Sequence, residues 1–376
     1  MTIPMASMAS STSPASWSPP SLRPRPYPHV TVVLGGQYGS EGKGEFIAWY
    51  VRKYIQDAVV RIGGPNAGHT MTIDGQTFKM RQIPCAWHTS AKLYSGPGAL
   101  INMQVLEDEL EMISHSGISR KVYIDKFTTI VTEEHGKREG AAMLLQSSGS
   151  TLEGVGMARA DKAIRKAGTW GDVPKYMYNR IPKRCEVVDV ATDLLKFDRV
   201  LVESTQGFGL SLNYSGHYPQ TTSADLTPAQ ALNDAGLGGA TPRVVIGVMR
   251  TYPIRVAGNS GPMYREVTWE ELAKRTNGQV KPEQTTVTRR IRRIGEWDDA
   301  LAKRFGTICR PNVICLTMVD YAVPELVTLG IDTPNVRRRI AALIDKVERD
   351  VLAPVVWIGI GPGKIVPVSE LNLGDL

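Results

Sequence analysis

HVTVVLGGQYGSEGKGEFIAWYVRKYI, residues His29 to Ile55, sets an apolar, β-branched run before a glycine-rich loop and an amphipathic segment after it. The run HVTVVLGG reads as a buried strand that delivers a loop at its C-terminal end. Beyond Lys43, the residues Phe46, Ile47, Tyr50 and Tyr54 fall on one face of a helix. Strand, loop and helix start in that order make a place for an anion. Small residues let backbone N–H groups approach it, the helix N-terminus favours negative charge, and Lys43 adds a point charge. The loop is not a standard P-loop. Between Gly36 and Gly42 it has one residue too many for GxxxxGK[ST], and Gly44 stands where the magnesium-binding Ser or Thr belongs.

Similar apolar runs recur at DAVVRIGG, KVYID, RVLVES, RVVIGVMR, NVICLTMVD and PVVWIGIG, with helical patterns between several of them, as in MQVLEDELEMISHSG and VRRRIAALIDKVERDVL. Strand alternating with helix predicts an α/β fold, a large and mostly parallel sheet covered by helices on both faces. Ligands of such sheets bind at the C-terminal ends of the strands. The second run ends in RIGGPNAGHTM, where His69 on a glycine turn, framed by Asn66, Gly68 and Thr70, offers a proton or a hydrogen bond near neutral pH. This loop follows the second strand as the first follows the first, so both are expected to face one pocket.

The chain has 376 residues and a net charge of +7 from 44 basic and 37 acidic side chains. An anionic small-molecule substrate accounts for that balance, and no basic run with interleaved aromatics points to nucleic acid. Cys85, Cys185, Cys309 and Cys315 form no CxxC pair and read as reduced thiols of a cytoplasmic protein. No apolar run reaches the roughly 18 residues of a membrane span. Residues 1–28, rich in Ser and Pro and without Asp or Glu, read as a disordered tail or a transit peptide. The late, proline-bound arginines favour the tail. Residues 29–376 show no dividing linker and read as a single catalytic domain.

GQYGSEGKG followed by VVRIGGPNAGHT resembles the paired signature of adenylosuccinate synthetase, which couples nucleotide hydrolysis to the addition of aspartate at C6 of a purine monophosphate. GSTLEGVG with Arg165 beyond it, VESTQG, HYPQTTSADLT, TTVTRRIRR, LTMVD and GIGPG follow in the family's order. The resemblance runs from about His29 to the C-terminus and implies a fold related to the P-loop NTPases, with insertions.

Three positions depart from that family. Ser40 stands where the family has the aspartate that takes the N1 proton of IMP and helps hold magnesium. A serine hydroxyl is neutral and no comparable base, but it is small and leaves room beside C2 of the purine, where guanine carries an amino group. This substitution marks the phage-type relatives, which act on dGMP to make the precursor of 2-aminoadenine DNA. Met318 replaces a lysine that, with the aspartate at Asp320, grips the guanine of GTP. Its loss weakens guanine selectivity, and the phage-type resemblance implies ATP or dATP. TTVTRRIRRIG alters the family's TTGRRRR, aligning Arg290 and Arg292 with family arginines and Thr286 and Thr288 beside them, a set suited to carboxylates and phosphates.

Carried over residue by residue, the resemblance implies dGMP held by Ser40, Asn66, Thr151, Arg165, Gln206, Thr222 and Arg290. It implies L-aspartate at Thr286, Thr288 and Arg292. ATP would meet Glu41, Gly42, Lys43, Gly44, Gly68, His69 and Thr70, with its base at Asp320, Gly359, Gly361 and Pro362. Ser40, Lys43 and His69 are the implied catalytic residues. Mg²⁺ is the implied cofactor, with the Gly68 carbonyl and Ser40 as protein ligands. Arg165 matches the arginine that reaches the monophosphate of a partner subunit, which implies a homodimer. Two other readings stay open: an ordinary synthetase using IMP and GTP, and a catalytically silent nucleotide-binding regulator.

Overall fold

The computed structural model describes residues 27–173, 184–285, 290–371 and 373, so Thr286, Thr288 and most of the N-terminal segment lie outside the described residues. Ten strands form one sheet: β1 (His29–Gly35), β2 (Ala58–Arg61), β3 (Lys92–Ser95), β4 (Val122–Asp125), β5 (Cys185–Val188), β6 (Arg199–Glu203), β7 (Val244–Arg250), β8 (Val313–Thr317), β9 (Val355–Gly359) and β10 (Ile365–Pro367). Their order is β10-β9-β8-β7-β1-β6-β2-β3-β4-β5. Every neighbouring pair is parallel except β9 and β10.

The opening stretch lies at the middle of this sheet because β1 is apolar on both faces. Val30, Val32 and Leu34 pack into one core with helices α3 (Asp299–Cys309) and α4 (Pro334–Val351), through Phe305, Ile340 and Val347. Val33 turns the other way, to Phe46 and Ile47 of α1 (Lys43–Lys53) and to Leu106 and Leu110 of α2 (Met103–His115). Burying each such aliphatic side chain contributes about 1.5–3 kcal/mol. Strands successive in sequence leave β1 on both sides, so the topology reverses there, and a crevice opens at the carboxyl ends of β1 and its neighbours.

The six further runs read from sequence all form strands of this sheet. Three strands lacked a legible run. β3 carries no β-branched residue, β5 is an edge strand held by a single ladder, and β10 is an antiparallel edge of three residues. Two insertions flank the crevice. One is a hairpin, His69–Ile73 with Gln76–Met80. The other is a small antiparallel sheet in which Arg293–Gly295 lies between Ile254–Arg255 and Glu266–Val267, over a core of Ile254, Trp269, Leu272, Val280 and Ile294. Among the described residues no helix is long and apolar enough to cross a membrane, and the four cysteines are unpaired thiols.

Candidate functional site

The crevice holds a cavity of about 390 Å³ bounded by the glycine loop, the His69 segment, Gln206, the Val256–Ser260 segment, Glu283 to Thr285 and Arg292. Of the residues singled out in the sequence, it is lined by Ser40, Glu41, Gly42, Lys43, Gly44, Asn66, Gly68, His69, Thr70, Thr151, Gln206 and Arg292. The two loops therefore share one pocket.

The glycine loop is shaped from within by Glu41, which is fully buried. Its Oε1 accepts from the Gln37 and Gly39 amides at 3.2 and 2.8 Å, and its Oε2 pairs with Lys43 Nζ at 2.7 Å. Lys43 Nζ also donates to the Gln206 carbonyl. So Lys43 borders the cavity with its ammonium already neutralised, and Glu41 is a structural carboxylate in this state. The β8 end helps, since Thr317 Oγ1 donates to the Glu41 carbonyl at 2.6 Å. Gly42, at φ 84°, turns the chain into α1 without a side-chain cap, leaving the first helical amides open toward the pocket. Gly44 is required by close approach. A Cβ there would lie 2.6 Å from the Thr70 carbonyl oxygen and 2.8 Å from His69 Cβ. This is the physical reason the P-loop's Ser or Thr is missing: the His69 backbone occupies its space.

His69 begins a hairpin strand rather than lying on a turn, and it is buried. Its Nδ1 lies 2.7 Å from Glu203 Oε1 and 3.0 Å from Arg61. A carboxylate can only accept, so the shorter contact puts the proton on Nδ1, and Nε2 is left as an acceptor with no protein partner. Burial, then the Arg61 charge, lowers the ring's pKa from 6.5 to about 4, against the opposing pull of Glu203. The imidazole is therefore neutral at pH 7. Strand register makes this arrangement, because Glu203 ends β6 directly opposite Arg61 at the end of β2. Glu203 also accepts from the Cys85 amide at 2.8 Å and forms an ion pair with Arg61. His69, Cys85 and Glu203 together have the composition of a metal site, but Arg61 already neutralises the carboxylate and burial raises the Cys85 thiol pKa, so the geometry serves the histidine.

A second cluster contributes Glu283 and Arg292 to the cavity lining. Arg250, at the end of β7 and fully buried, forks onto Glu283 through both terminal nitrogens, and Arg292 reaches the same carboxylate at 3.3 Å. Tyr321 Oη donates to Glu283 at 3.1 Å. Arg255 is also buried, lies 4.3 Å above the Tyr38 ring and lines the cavity.

Some expected residues stand elsewhere. Arg165 and Arg290 are exposed, and neither they nor Thr222 lines the cavity. Asp320, Gly359, Gly361 and Pro362 do not border it either, but lie near it at the ends of β8 and β9. Met318 does line it, and Asp320 Oδ1 is buried without a protein partner. Sequence reasoning missed Arg61, Glu203, Arg250, Arg255 and Glu283. The signal for the first three was present, a charged residue ending an otherwise apolar strand, which is costly unless paired. Nothing local marked Glu283.

The sequence model of the family "Adenylosuccinate synthetase" matches residues 32–186 and 172–332. The chain belongs to the adenylosuccinate synthetase family. Among curated members, the adenylosuccinate synthetase of Methanosphaera stadtmanae is 33% identical over 338 residues, covering 88% of this chain and 95% of that protein. That of Archaeoglobus fulgidus is 36% identical over 342 residues, covering 89% and 96%. In structure the chain is similar to cyanophage S-2L succinoaminodeoxyadenylate synthetase bound to dGMP and dATP, at TM-score 0.75 and 28% identity, covering 91% of this chain and 95% of that one. The fully ligated Plasmodium falciparum adenylosuccinate synthetase shares the fold at TM-score 0.75 and 21% identity, covering 90% and 99%. The chain is thus an adenylosuccinate synthetase-type ligase that forms a C–N bond from nucleotide and aspartate substrates, and the sheet places its cavity where the sequence led.

Proposed function

We propose that this ligase joins L-aspartate to C6 of dGMP at the expense of ATP or dATP, giving 2-amino-2'-deoxyadenylosuccinate. The observation that carries the reading is Ser40. Its side chain is small and uncharged and is exposed in the cavity, at the position where the family resemblance puts a proton-abstracting carboxylate that would crowd the 2-amino group of guanine. The likeness to a synthetase bound to dGMP and dATP supports it.

In this reading the γ-phosphoryl group passes to O6 of the purine, the N1 proton leaves to water, and the aspartate amine then displaces phosphate at C6. Leu210 and Val256 offer apolar faces to the purine, with Asn66, Thr151 and Gln206 at its polar edge. Open amides at Gly42 to Gly44 meet phosphate oxygens. His69 Nε2 faces the transferring group. An anion arriving there supplies the opposite charge that Glu203 now shares with Arg61, raising the ring's pKa and letting Nε2–H donate to the charge that develops. Arg292, with Thr286 and Thr288, would take the aspartate carboxylates. The unpartnered Asp320 carboxylate accepts from the donor's base.

The lining offers Mg²⁺ two neutral oxygen ligands and no free carboxylate among the described residues. The Gly68 carbonyl and Ser40 hydroxyl are hard oxygen ligands, whereas the carboxylates of Glu41 and Glu283 are both engaged. When bound, the ion would neutralise phosphate charge while keeping most of its waters and phosphate ligands. Exposed Arg165 suits a role in a partner subunit's site, hence a homodimer, and the unpaired thiols suit the cytoplasm.

Phosphate release tests the reading. It is expected with dGMP, ATP, Mg²⁺ and aspartate together and with none of the three-component subsets. Release with IMP and GTP alone would make this an ordinary synthetase. Nucleotide binding without release from any pair would make it a regulator.

A further inference from the structure

Ser40 has φ 59°, a left-handed conformation that costs a non-glycine residue roughly 1–2 kcal/mol. The flanking Gly39 and Gly42 also have positive φ, but glycine adopts it freely and serine does not. Something outside the loop must hold this peptide. The Ser40 carbonyl accepts from Arg250 Nη1 at 3.1 Å. A hydrogen bond from a charged donor contributes about 1.5–3 kcal/mol, enough to offset the conformational cost.

Arg250 is itself held by its backbone and by both terminal nitrogens, while its buried Nε has no protein partner among the described residues. Its backbone N–H donates to Gln37 Oε1 at 2.9 Å, and Gln37 Nε2 donates to its carbonyl at 2.9 Å. Its guanidinium forks onto Glu283 and lies 5.7 Å from the Tyr321 ring centre. It is fully buried, and it does not line the cavity.

We infer that Arg250 is a specificity-determining positioning residue: by gripping the Ser40 carbonyl it fixes the left-handed turn that presents the small Ser40 side chain to the purine, with Glu283 as the anchor of the grip. Arg250 does not line the cavity, so it acts on the purine through the Ser40 turn it holds. Without it the turn relaxes toward ordinary φ values, the Ser40 side chain leaves its place beside the ring, and the pocket no longer distinguishes an amino group at C2 from hydrogen. The inference rests on the reading of Ser40 as the residue beside C2.

The test is the ratio of kcat/KM for dGMP to that for dIMP, which differ only at C2. A ratio is insensitive to the fraction of folded enzyme, so a merely structural defect lowers both values and leaves it unchanged. Arg250→Met is expected to move the ratio about tenfold toward unity, and Arg250→Lys, which keeps the charge but loses the fork, by less. Glu283→Gln, which frees the guanidinium, is expected to move it in the same direction. If Arg250→Met fails to fold, the other two variants decide. A ratio within twofold of wild type in every variant that folds would overturn the inference. A wild-type enzyme that prefers dIMP would refute the dGMP reading instead, and movement toward unity in the variants would still support the role of Arg250.

Discussion

Two carboxylates each hold two basic partners, one fully buried behind His69 and the other, Glu283, in the cavity lining. Glu203 binds Arg61 and His69, and Glu283 binds Arg250 and Arg292. The first is fully buried, its Arg61–Glu203 pair set by adjacent strand ends in register and its His69 supplied by the hairpin. The second joins a strand end to a loop, and the Glu283 side chain retains 22% exposure. Where register supplies the geometry, the site is built before any ligand arrives, which suits a histidine that must meet a reacting phosphoryl group. Where a loop supplies it, the arginine facing a substrate carboxylate can change partners.

The largest contrast expected is in stability. Glu203→Gln leaves the buried Arg61 without its counter-ion, and breaking such a pair costs about 3–5 kcal/mol. Glu283→Gln is expected to cost clearly less, because solvent reaches the cluster. Urea unfolding of the two variants, compared at one pH, checks the difference, and equal losses would erase it.

Next in size is chemistry on the rigid side. His69→Ala is expected to lower kcat by about 10²–10³, the usual loss for one donor to a developing oxyanion, with nucleotide affinity within a few-fold of wild type by calorimetry. Normal turnover would make His69 structural. Ser40→Asp is expected to lower kcat/KM for dGMP by about tenfold, equivalent to about 1.4 kcal/mol, by crowding and charging the space beside C2. Undiminished dGMP use would remove the explanation offered for the serine.

The smallest effect separates the two clusters by pH. His69 has a folded pKa of about 4 against an unfolded value of 6.5. Between these values the unfolded chain binds more protons, so the contribution of a neutral His69 to stability is full above about pH 6.5 and is lost as pH falls toward 4. His69→Gln is expected to flatten the decline of Tm in that window. Some slope remains, since burial also lowers His88 to about 4. An unchanged slope would count against a neutral buried imidazole.

These clusters also mark what could be read from the chain. Strands long and apolar enough to be buried on both faces announced themselves, as did the glycine loop, because backbone conformation and burial are written locally in residue type. β3 and β5 are no shorter than the legible β2 and β4, but β3 carries no β-branched residue and β5 is an edge strand held by a single ladder. The family's motif residues at the loops fell into one cavity, whereas Arg165, Thr222 and Arg290 did not. Glu283 and Arg250 are 33 residues apart in sequence, and only the fold brings them together. Lys43, expected to face phosphate, lines the cavity and also pairs with Glu41 two residues away, a contact that charge and spacing could have suggested.

The central claim is that the room beside Ser40 makes a guanine nucleotide the substrate. A competition measures it most directly: equimolar dGMP and IMP with limiting ATP, Mg²⁺ and L-aspartate, with the succinyl nucleotides separated and identified by mass. The account predicts 2-amino-2'-deoxyadenylosuccinate as the main product. Adenylosuccinate as the main product would contradict it.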